Sequence, residues 1–266
     1  FSINAGVAEI PTAFIASYGS GKPIIAILAE MDALPGLSQV ATPERKILKE
    51  EMPGHACGHN LFGTGSIAAS VAVKNWLKET GTTGTIRLYG TPAEEGGSGK
   101  VYMVRAGLFR DVDIVMHWHP SDKNDASPSS SLANKSAKFR FFGIASHAAA
   151  APEKGRSALD GVESMNFMIN LMREHLPETA RIHYIITNGG AAPNIVPENA
   201  EVYYYVRHPD VGELESIWAR VVKVAEAAAI ATETTLEYEI MHANRPLLPN
   251  LPLANLVLEK LNQVGG

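Results

Sequence analysis

The sequence predicts an α/β protein in which a mostly parallel sheet flanked by helices carries an inserted ferredoxin-like module. In the first half, apolar runs of strand length alternate with helical patterns, which is typical of a parallel sheet. After the Ser/Pro-rich segment 127–131 the periodicity changes, and the order of predicted elements becomes βαββαβ. We therefore expect a first domain at 1–131 that resumes at 247–266, with the inserted module at 132–246.

The composition excludes several classes of function. Hydrophobic residues make up 45% of the 266 residues and charged residues 19%, so the chain can bury a sizeable core. A net charge of -5 gives no basic field for nucleic acid, and no apolar run approaches the roughly 20 residues of a membrane span. The single cysteine permits no internal disulfide and no secretion signal is visible, so we expect a reducing, cytoplasmic location.

The first predicted strand of the parallel sheet ends at two carboxylates. Residues 23–29 form an apolar run that stops at Glu30, as expected for a strand buried on both faces. With a period of two, Glu30 and Asp32 point to the same side at the carboxyl end, where open α/β sheets bind their ligands. Solvated loop residues would show the same pattern, so this pair alone leaves both interpretations open.

The second predicted strand also leads to a pair of carboxylates. Residues 85–89 run into Glu94 and Glu95, and a helix is predicted at 100–106. Adjacent side chains point in different directions unless the backbone bends. A bend in the segment 90–97 would let one carboxylate bind metal while its neighbour faces a substrate.

Histidines and the single thiol are further candidate metal ligands beside these carboxylates. A third strand is predicted at 113–120, with His117 and His119 on one face and Trp118 opposite. Cys57 and His59 lie in a glycine-rich turn, just before a helix predicted at 61–78 with Asn60 as its N-cap. The partial positive charge at a helix N-terminus favours a thiolate there.

These side chains predict a dinuclear metal site at one edge of the sheet. Carboxylate, imidazole and thiolate groups that converge on one edge can hold two ions about 3.5–4 Å apart. Thiolate and imidazole ligands favour zinc, whereas carboxylate-rich sites also take manganese, so the sequence leaves the metal open.

The second half of the chain predicts a separate antiparallel sheet with two helices on it. Its helices carry apolar residues three and four positions apart, and its strands include an alternating run with one wet face. The predicted elements are strands at 138–142, 181–186, 201–207 and 235–241 and helices at 157–176 and 214–228.

Three polar residues of this module are candidates for substrate contacts. His147 lies in a loop of small residues at 143–152, and Asn194 lies in a second loop at 188–197. Arg207 ends a strand, where its guanidinium could bind a carboxylate through two hydrogen bonds.

The motifs together resemble a family of dinuclear metallo-amidohydrolases and peptidases that includes aminoacylase, hippurate hydrolase, the auxin-conjugate hydrolases and p-aminobenzoyl-glutamate hydrolase. The motifs are Met-Asp-Ala-Leu-Pro at 31–35, Gly-His-Ala-Cys-Gly-His at 54–59, Pro-Ala-Glu-Glu-Gly at 92–96, His-Trp-His-Pro at 117–120, Ser-His-Ala to Leu-Asp at 146–160 and Asn-Ile-Val-Pro at 194–197. Asn60, where many members have Asp, and the segment 135–138 most resemble the branch of p-aminobenzoyl-glutamate hydrolase B subunits.

The resemblance implies a set of metal ligands. Cys57 would bridge two divalent ions, zinc or manganese, and His59, Glu95 and His119 would be further ligands. Asp32 would not bind the metal itself but would orient one of these ligands. One more histidine ligand is expected nearer the C-terminus of such proteins, and we therefore expect this sequence to be a piece of a longer chain.

The resemblance also implies the roles of the remaining candidates. Glu94 would be the general base that activates water and then protonates the leaving nitrogen. The inserted module would be a lid and dimerisation domain, from which His147 reaches the active site of the other subunit. Asn194 and Arg207 would bind the carboxylate of the substrate.

The expected function is hydrolysis of an N-acyl amino acid by a metal-dependent enzyme, with p-aminobenzoyl-glutamate as the best single substrate. A dipeptidase or another acyl-amino-acid hydrolase is the alternative within this class. An alternative of another class is a catalytically silent, truncated chain that binds metal and dimerises. We expect a homodimer formed through the inserted module, and the sequence leaves open whether a second type of subunit takes part.

Overall fold

The computed structural model describes residues 1–265, which form two compact units. The first unit covers Phe1–Asn124, and the second begins at Asp125. Among the described residues, no helix combines the length and apolar character needed to cross a bilayer. Gly266, the last residue of the segment predicted to rejoin the first domain, lies outside the described residues.

The first unit is an α/β layer built on a five-stranded sheet of order β1-β2-β4-β3-β5. Its elements are β1 Ser2–Ala5, β2 Phe14–Ser20, β3 Ile24–Glu30, α1 His59–Thr80, β4 Gly84–Thr91, α2 Glu94–Gly97, α3 Gly99–Arg105 and β5 Ile114–Met116.

The three predicted strands of the parallel sheet are β3, β4 and β5. β3 lies between the other two and runs parallel to both. The predicted α/β class is therefore confirmed, but the sheet is mixed, because β1 and β2 are antiparallel to their neighbours. The connection 6–13 is shorter than the roughly dozen residues of a parallel crossover, which explains the antiparallel pairing of β1 with β2.

Two local predictions in this unit are wrong. The N-cap of α1 is Gly58, whose backbone has φ 83, and Asn60 lies inside the helix. A glycine takes this left-handed conformation without steric cost, whereas a side-chain cap needs an extended backbone at the capping residue. The third strand is also shorter than predicted, because it ends at Met116 and leaves 117–120 as a loop.

The second unit confirms the predicted βαββαβ order. Its four-stranded sheet has the order β7-β8-β6-β9, in which the first and third strands of the motif lie at the centre. The elements are β6 Ala133–Phe142, α4 Ala158–Met172, β7 Arg181–Asn188, β8 Asn199–His208, α5 Val211–Ala231, β9 Thr235–Asn244 and a final helix, α6 Leu251–Gln263.

The core of the second unit lies between this sheet and helices α4 and α5. Phe139 on β6 is fully buried, and its ring contacts Tyr204 edge-on at 5.8 Å and Trp218 at 6.0 Å. Alternate residues of β6 and β8 point into this core, as the period of a strand requires. The amphipathic spacing read from the sequence therefore identifies the buried face.

The chain enters and leaves the βαββαβ unit at adjacent points. Ser130 donates a side-chain hydrogen bond to the carbonyl of Leu247 at 2.8 Å, and the amide of Leu247 donates to the Ser131 hydroxyl at 3.0 Å. Adjacent ends are the arrangement that domain insertion requires. The insertion itself, with its boundaries at 132–246, stays a prediction.

Replacement of Phe139 by Ala tests the core of the second unit. The change removes a fully buried ring, so we expect the free energy of opening of β6 and β8 to fall by about 3–5 kcal/mol. Hydrogen exchange of the amides in these strands measures this free energy. Phe167→Ala is the matched control, because that ring is 65% exposed and its loss should change the free energy by less than about 0.5 kcal/mol.

Candidate metal centre

The turn before α1 brings Cys57 and His59 to the carboxyl edge of the sheet. Gly58 provides the left-handed turn between them, and His59 is the first residue of the helix. The side chain of His59 is 1% exposed, whereas Cys57 is half-buried. Gly63, one turn further along, lets the helix approach β3, because a Cβ there would lie 3.1 Å from the carbonyl oxygen of Glu30.

Asp32 joins two of the segments that carry candidate ligands. Its Oδ1 lies 3.2 Å from Nδ1 of His59, and its backbone carbonyl lies 3.1 Å from the same nitrogen. Its Oδ2 accepts a hydrogen bond of 2.9 Å from the backbone amide of Glu95. Two acceptors at Nδ1 place the ring proton there, so Nε2 of His59 carries a lone pair that can bind a cation.

Two ligand atoms of the predicted set are buried without a hydrogen bond. Within residues 1–265, neither Nε2 of His59 nor Oε1 of Glu95 has a hydrogen-bond partner. A buried polar atom without a partner destabilises a fold by about 1–3 kcal/mol unless something binds it. A metal ion would satisfy both atoms, and the donor set therefore fits the predicted centre.

Cys57 and His119 complete the first group of possible ligands. The Sγ of Cys57 lies 3.3 Å from Nε2 of His119, and the His119 ring contacts that of His59 edge-on at 5.7 Å. One ligand atom from each of Cys57, His59 and His119 lies within 4.8 Å of the other two. One thiolate and two imidazoles are a set that zinc prefers.

A second group consists of Glu30, His59 and Glu94, whose ligand atoms also lie within 4.8 Å of one another. Glu30 and His59 are buried in this group, and Glu94 is exposed. The two groups share His59. The predicted convergence of strand ends and turn is therefore present in the structure for Cys57, His59, Glu94 and His119.

The protein raises the pKa of two groups at the site, and a bound cation would favour the ionised form of both. Burial, reinforced by the carboxylates of Glu95 and Glu94, raises the pKa of the Cys57 thiol to about 11. Desolvation of the carboxylate by neighbouring protein atoms, followed by the nearby charge of Glu30, raises the pKa of Glu94. Concentrated negative charge of this kind is typical of a site that binds positive ions.

Glu30 is a buried carboxylate at the site that is not among the predicted metal ligands or catalytic residues. It is 3% exposed, and its Oε1 accepts from Nζ of Lys100 at 2.6 Å and lies 3.2 Å from Nε2 of His117. Burial opposes ionisation of this carboxyl, but the hydrogen bonds from His117 and Lys100 lower its pKa to about 2. The end of an apolar strand marks Glu30 in the sequence, whereas no sequence pattern identifies Lys100 as its partner.

Glu94 and Glu95 form the first turn of the very short helix α2, between two residues with unusual backbone conformations. Ala93 has φ 59 and Ser98 has φ 51, in the left-handed region that residues with a side chain rarely adopt. Such residues cost about 1 kcal/mol each and cluster at functional sites. The predicted bend of the segment is therefore present.

Two of the candidates in the second unit lie in loops that contact each other. Nδ1 of His147 accepts hydrogen bonds from the amides of Ala149 at 3.2 Å and Ala150 at 3.1 Å. The amide of Ala148 donates to the carbonyl of Asn194 at 3.0 Å, so the two predicted loops pack together.

Arg207 lies away from these loops, on β8. Its guanidinium lies 5.4 Å from the Tyr205 ring, and its Nε is buried without a hydrogen bond in the described part of the chain. An arginine nitrogen without an acceptor is a possible contact for an anion. The structure therefore joins His147 with Asn194 and leaves Arg207 on the strand.

Comparison with known protein families and curated proteins finds relatives that are named as hydrolases and peptidases. Residues 133–233 match the M20 peptidase dimerisation domain. The chain is 49% identical over 267 residues to the B subunit of p-aminobenzoyl-glutamate hydrolase from Escherichia coli, covering 100% of this chain and 56% of that protein. It is also 34% identical to the Xaa-Arg dipeptidase of Mus musculus, covering 96% and 58%.

A solved structure shows the same fold. The aminobenzoyl-glutamate utilization protein of Klebsiella pneumoniae superposes with a TM-score of 0.69 at 23% identity, over 95% of this chain and 60% of that one. The chain thus spans about half the length of the curated relatives that it matches.

Metal binding should release the proton of Cys57. Because the pKa of the thiol is raised to about 11, the thiol is protonated at pH 7.5 and must ionise to bind a metal. We expect Zn²⁺ to release about one proton more from the wild-type chain than from Cys57→Ser, measured by calorimetry in buffers of different ionisation enthalpy. Apparent affinity should rise by up to about tenfold per pH unit below pH 11. Equal proton release from the two proteins would exclude Cys57 as a ligand.

Proposed function

The chain belongs to the M20 family of peptidases and amidohydrolases, and from this premise we propose that it carries out metal-dependent hydrolysis of an N-acyl amino acid, with p-aminobenzoyl-glutamate as substrate. The observation that carries this proposal is the arrangement of His59, whose Nδ1 is held by Asp32 while its buried Nε2 has no hydrogen bond within residues 1–265. The name of the Escherichia coli relative supports the substrate.

We assign the metal ligands to Cys57, His59, Glu95 and His119. Their donor atoms are a thiolate, two imidazole nitrogens and a carboxylate, which suit zinc and also allow manganese. Two bound divalent ions would lower the pKa of water and polarise the scissile carbonyl. Asp32 orients His59 and fixes the backbone of Glu95, so it sets the direction of two of the four ligands.

Glu94 is the proposed general base. Its raised pKa brings the carboxylate closer to the pH at which it must both accept and donate a proton. It takes a proton from the attacking water as the oxygen bonds to the amide carbon. It then delivers that proton to the nitrogen as the carbon–nitrogen bond breaks, which yields p-aminobenzoate and glutamate.

His147 is the proposed hydrogen-bond donor to the substrate carbonyl. Because its Nδ1 accepts from two backbone amides, the proton of the neutral ring lies on Nε2, which can donate. Asn194 lies beside it and Arg207 has an unpaired Nε among the described residues, so both are proposed to bind the carboxylate of the amino-acid part.

The proposed assembly is a dimer formed through the module that matches the dimerisation domain. We propose that His147 acts in the active site of the other subunit. The Escherichia coli relative is named as one subunit of its enzyme, which supports a second type of chain as an additional partner. A reducing cytoplasm, where a single thiol remains free to bind metal, is the proposed location.

A dipeptidase is the second candidate function, because the chain is similar to an Xaa-Arg dipeptidase. Hydrolysis of p-aminobenzoyl-glutamate and of dipeptides with a C-terminal arginine, compared on one preparation, distinguishes the two substrates. A chain that binds metal but cleaves neither would support the catalytically silent alternative.

Replacement of Glu94 by Gln tests the general base. The amide keeps the size of the side chain but cannot accept the proton, so we expect turnover of p-aminobenzoyl-glutamate by the complete gene product to fall by about 100- to 10,000-fold. Metal content, measured by elemental analysis, should stay unchanged. Glu95→Gln is the matched control, in which metal content should fall as well. Near wild-type turnover of Glu94→Gln would remove Glu94 from the mechanism.

Mixed dimers test the proposed role of His147 across the interface. His147→Ala and Glu94→Gln homodimers should both be inactive. A mixture of the two should recover up to about a quarter of wild-type activity, since random exchange makes about half of the dimers mixed and each mixed dimer has one intact site. Activity that fails to recover, although exchange of chains is observed, would argue that His147 does not act on the partner's site.

A further inference from the structure

Glu30 has one oxygen in an ion pair and the other against a proposed ligand. Oε1 lies 2.6 Å from Nζ of Lys100 and 3.2 Å from Nε2 of His117. Oε2 lies 3.1 Å from Nε2 of His59. Both Glu30 and His59 are almost fully buried, at 3% and 1% exposure. This arrangement points Oε2 toward the same space as the free nitrogen of His59.

The contact between Oε2 and Nε2 is unfavourable without a positive charge between them. The proton of the His59 ring lies on Nδ1, because that nitrogen faces the carbonyl and carboxylate of Asp32. Nε2 therefore presents a lone pair to a carboxylate oxygen, and this contact does not form a hydrogen bond in the described chain. In the neutral ring, two buried acceptors 3.1 Å apart repel each other, and either a second ring proton or a metal cation between them removes the repulsion.

We propose that Glu30 is a metal ligand, binding through Oε2 the same ion that His59 binds through Nε2. Two ligands of a zinc ion, each at about 2.1 Å with tetrahedral geometry, lie about 3.4 Å apart, which is close to the observed separation. The unpaired, buried Nε2 of His59 supports this site independently of the acidic cluster. The inference rests on the proposed metal centre and extends its ligand set.

Lys100 and His117 then act as positioning residues. Both hold Oε1, so the carboxylate cannot rotate and Oε2 remains directed at the ion. Outer partners of this kind fix the orientation of metal ligands and modulate their charge. A purely structural ion pair between Glu30 and Lys100 is the competing interpretation, and it predicts that loss of either residue has the same effect.

Zn²⁺ binding to the apo chain tests the inference without using activity. We expect Glu30→Gln to weaken binding of the ion at His59 by at least about 100-fold, the upper end of the cost of losing an outer partner. Lys100→Met should weaken it by about tenfold or less, because the carboxylate remains. Asp111→Asn is the matched control, because the carboxylate of Asp111 pairs with Arg87 on the surface. The Zn²⁺ affinity of this variant should equal that of the wild-type chain.

Combining Glu30→Gln with His59→Ala tests whether the two residues bind the same ion. If Glu30 and His59 bind one ion, the double variant should bind Zn²⁺ hardly more weakly than His59→Ala alone, whereas independent effects would multiply. The visible spectrum of bound Co²⁺ should also change in Glu30→Gln and remain as in wild type in Asp111→Asn. Circular dichroism checks folding. If Glu30→Gln does not fold, Glu30→Asp replaces it, because that variant keeps the charge and withdraws the oxygen by one methylene.

Three results would overturn the inference. Equal Zn²⁺ affinity in wild type and Glu30→Gln would exclude Glu30 as a ligand while leaving the metal centre intact. Equal losses in Glu30→Gln and Lys100→Met would support the purely structural ion pair. Absence of Zn²⁺ binding by the wild-type chain would overturn both this inference and the proposed metal centre.

Discussion

The carboxylate of Asp32 is the constraint on which the candidate centre depends. One oxygen faces the ring of His59 at the start of α1, and the other accepts from the backbone of Glu95 after β4. A single side chain at the end of β3 thus fixes two segments that are 27 and 63 residues away in sequence. Because it also settles which nitrogen of His59 carries the proton, it determines where a cation can bind.

The parts of the site that follow from local patterns were predictable from the sequence. Apolar strands that end at acidic residues, and a glycine turn before a helix, placed Asp32, Cys57 and the Glu94 pair at one edge of the sheet. The partner of Glu30 was not predictable, because Lys100 lies 70 residues away and carries no pattern of its own. The N-cap was misplaced because Asn60 is a good capping residue, while the turn required the left-handed backbone of Gly58.

For the second unit, the sequence predicts the secondary structure and the buried face more completely than the chemistry of the loop residues. The alternation in β6 and the helical spacing in α4 follow directly from the sequence, because burial of one face dictates them. The proton position on His147 depends instead on two backbone amides that follow it in its own loop. Side-chain periodicity carries no information on where those amides point, so the sequence alone does not predict which nitrogen of His147 carries the proton.

The short turn that carries Glu94 and Glu95 lies between left-handed residues at 93 and 98. Such a segment has little intrinsic preference for its native backbone, so contacts hold it in place: the hydrogen bond from the Glu95 amide to Asp32 and, in the proposed centre, the cation that Glu95 binds. Loss of metal would therefore loosen this turn before the sheet beneath it. In the proposed metal centre, the segment 93–98 would then be the part most open to local unfolding and to cleavage by a protease once the metal is lost, while the sheet stays folded.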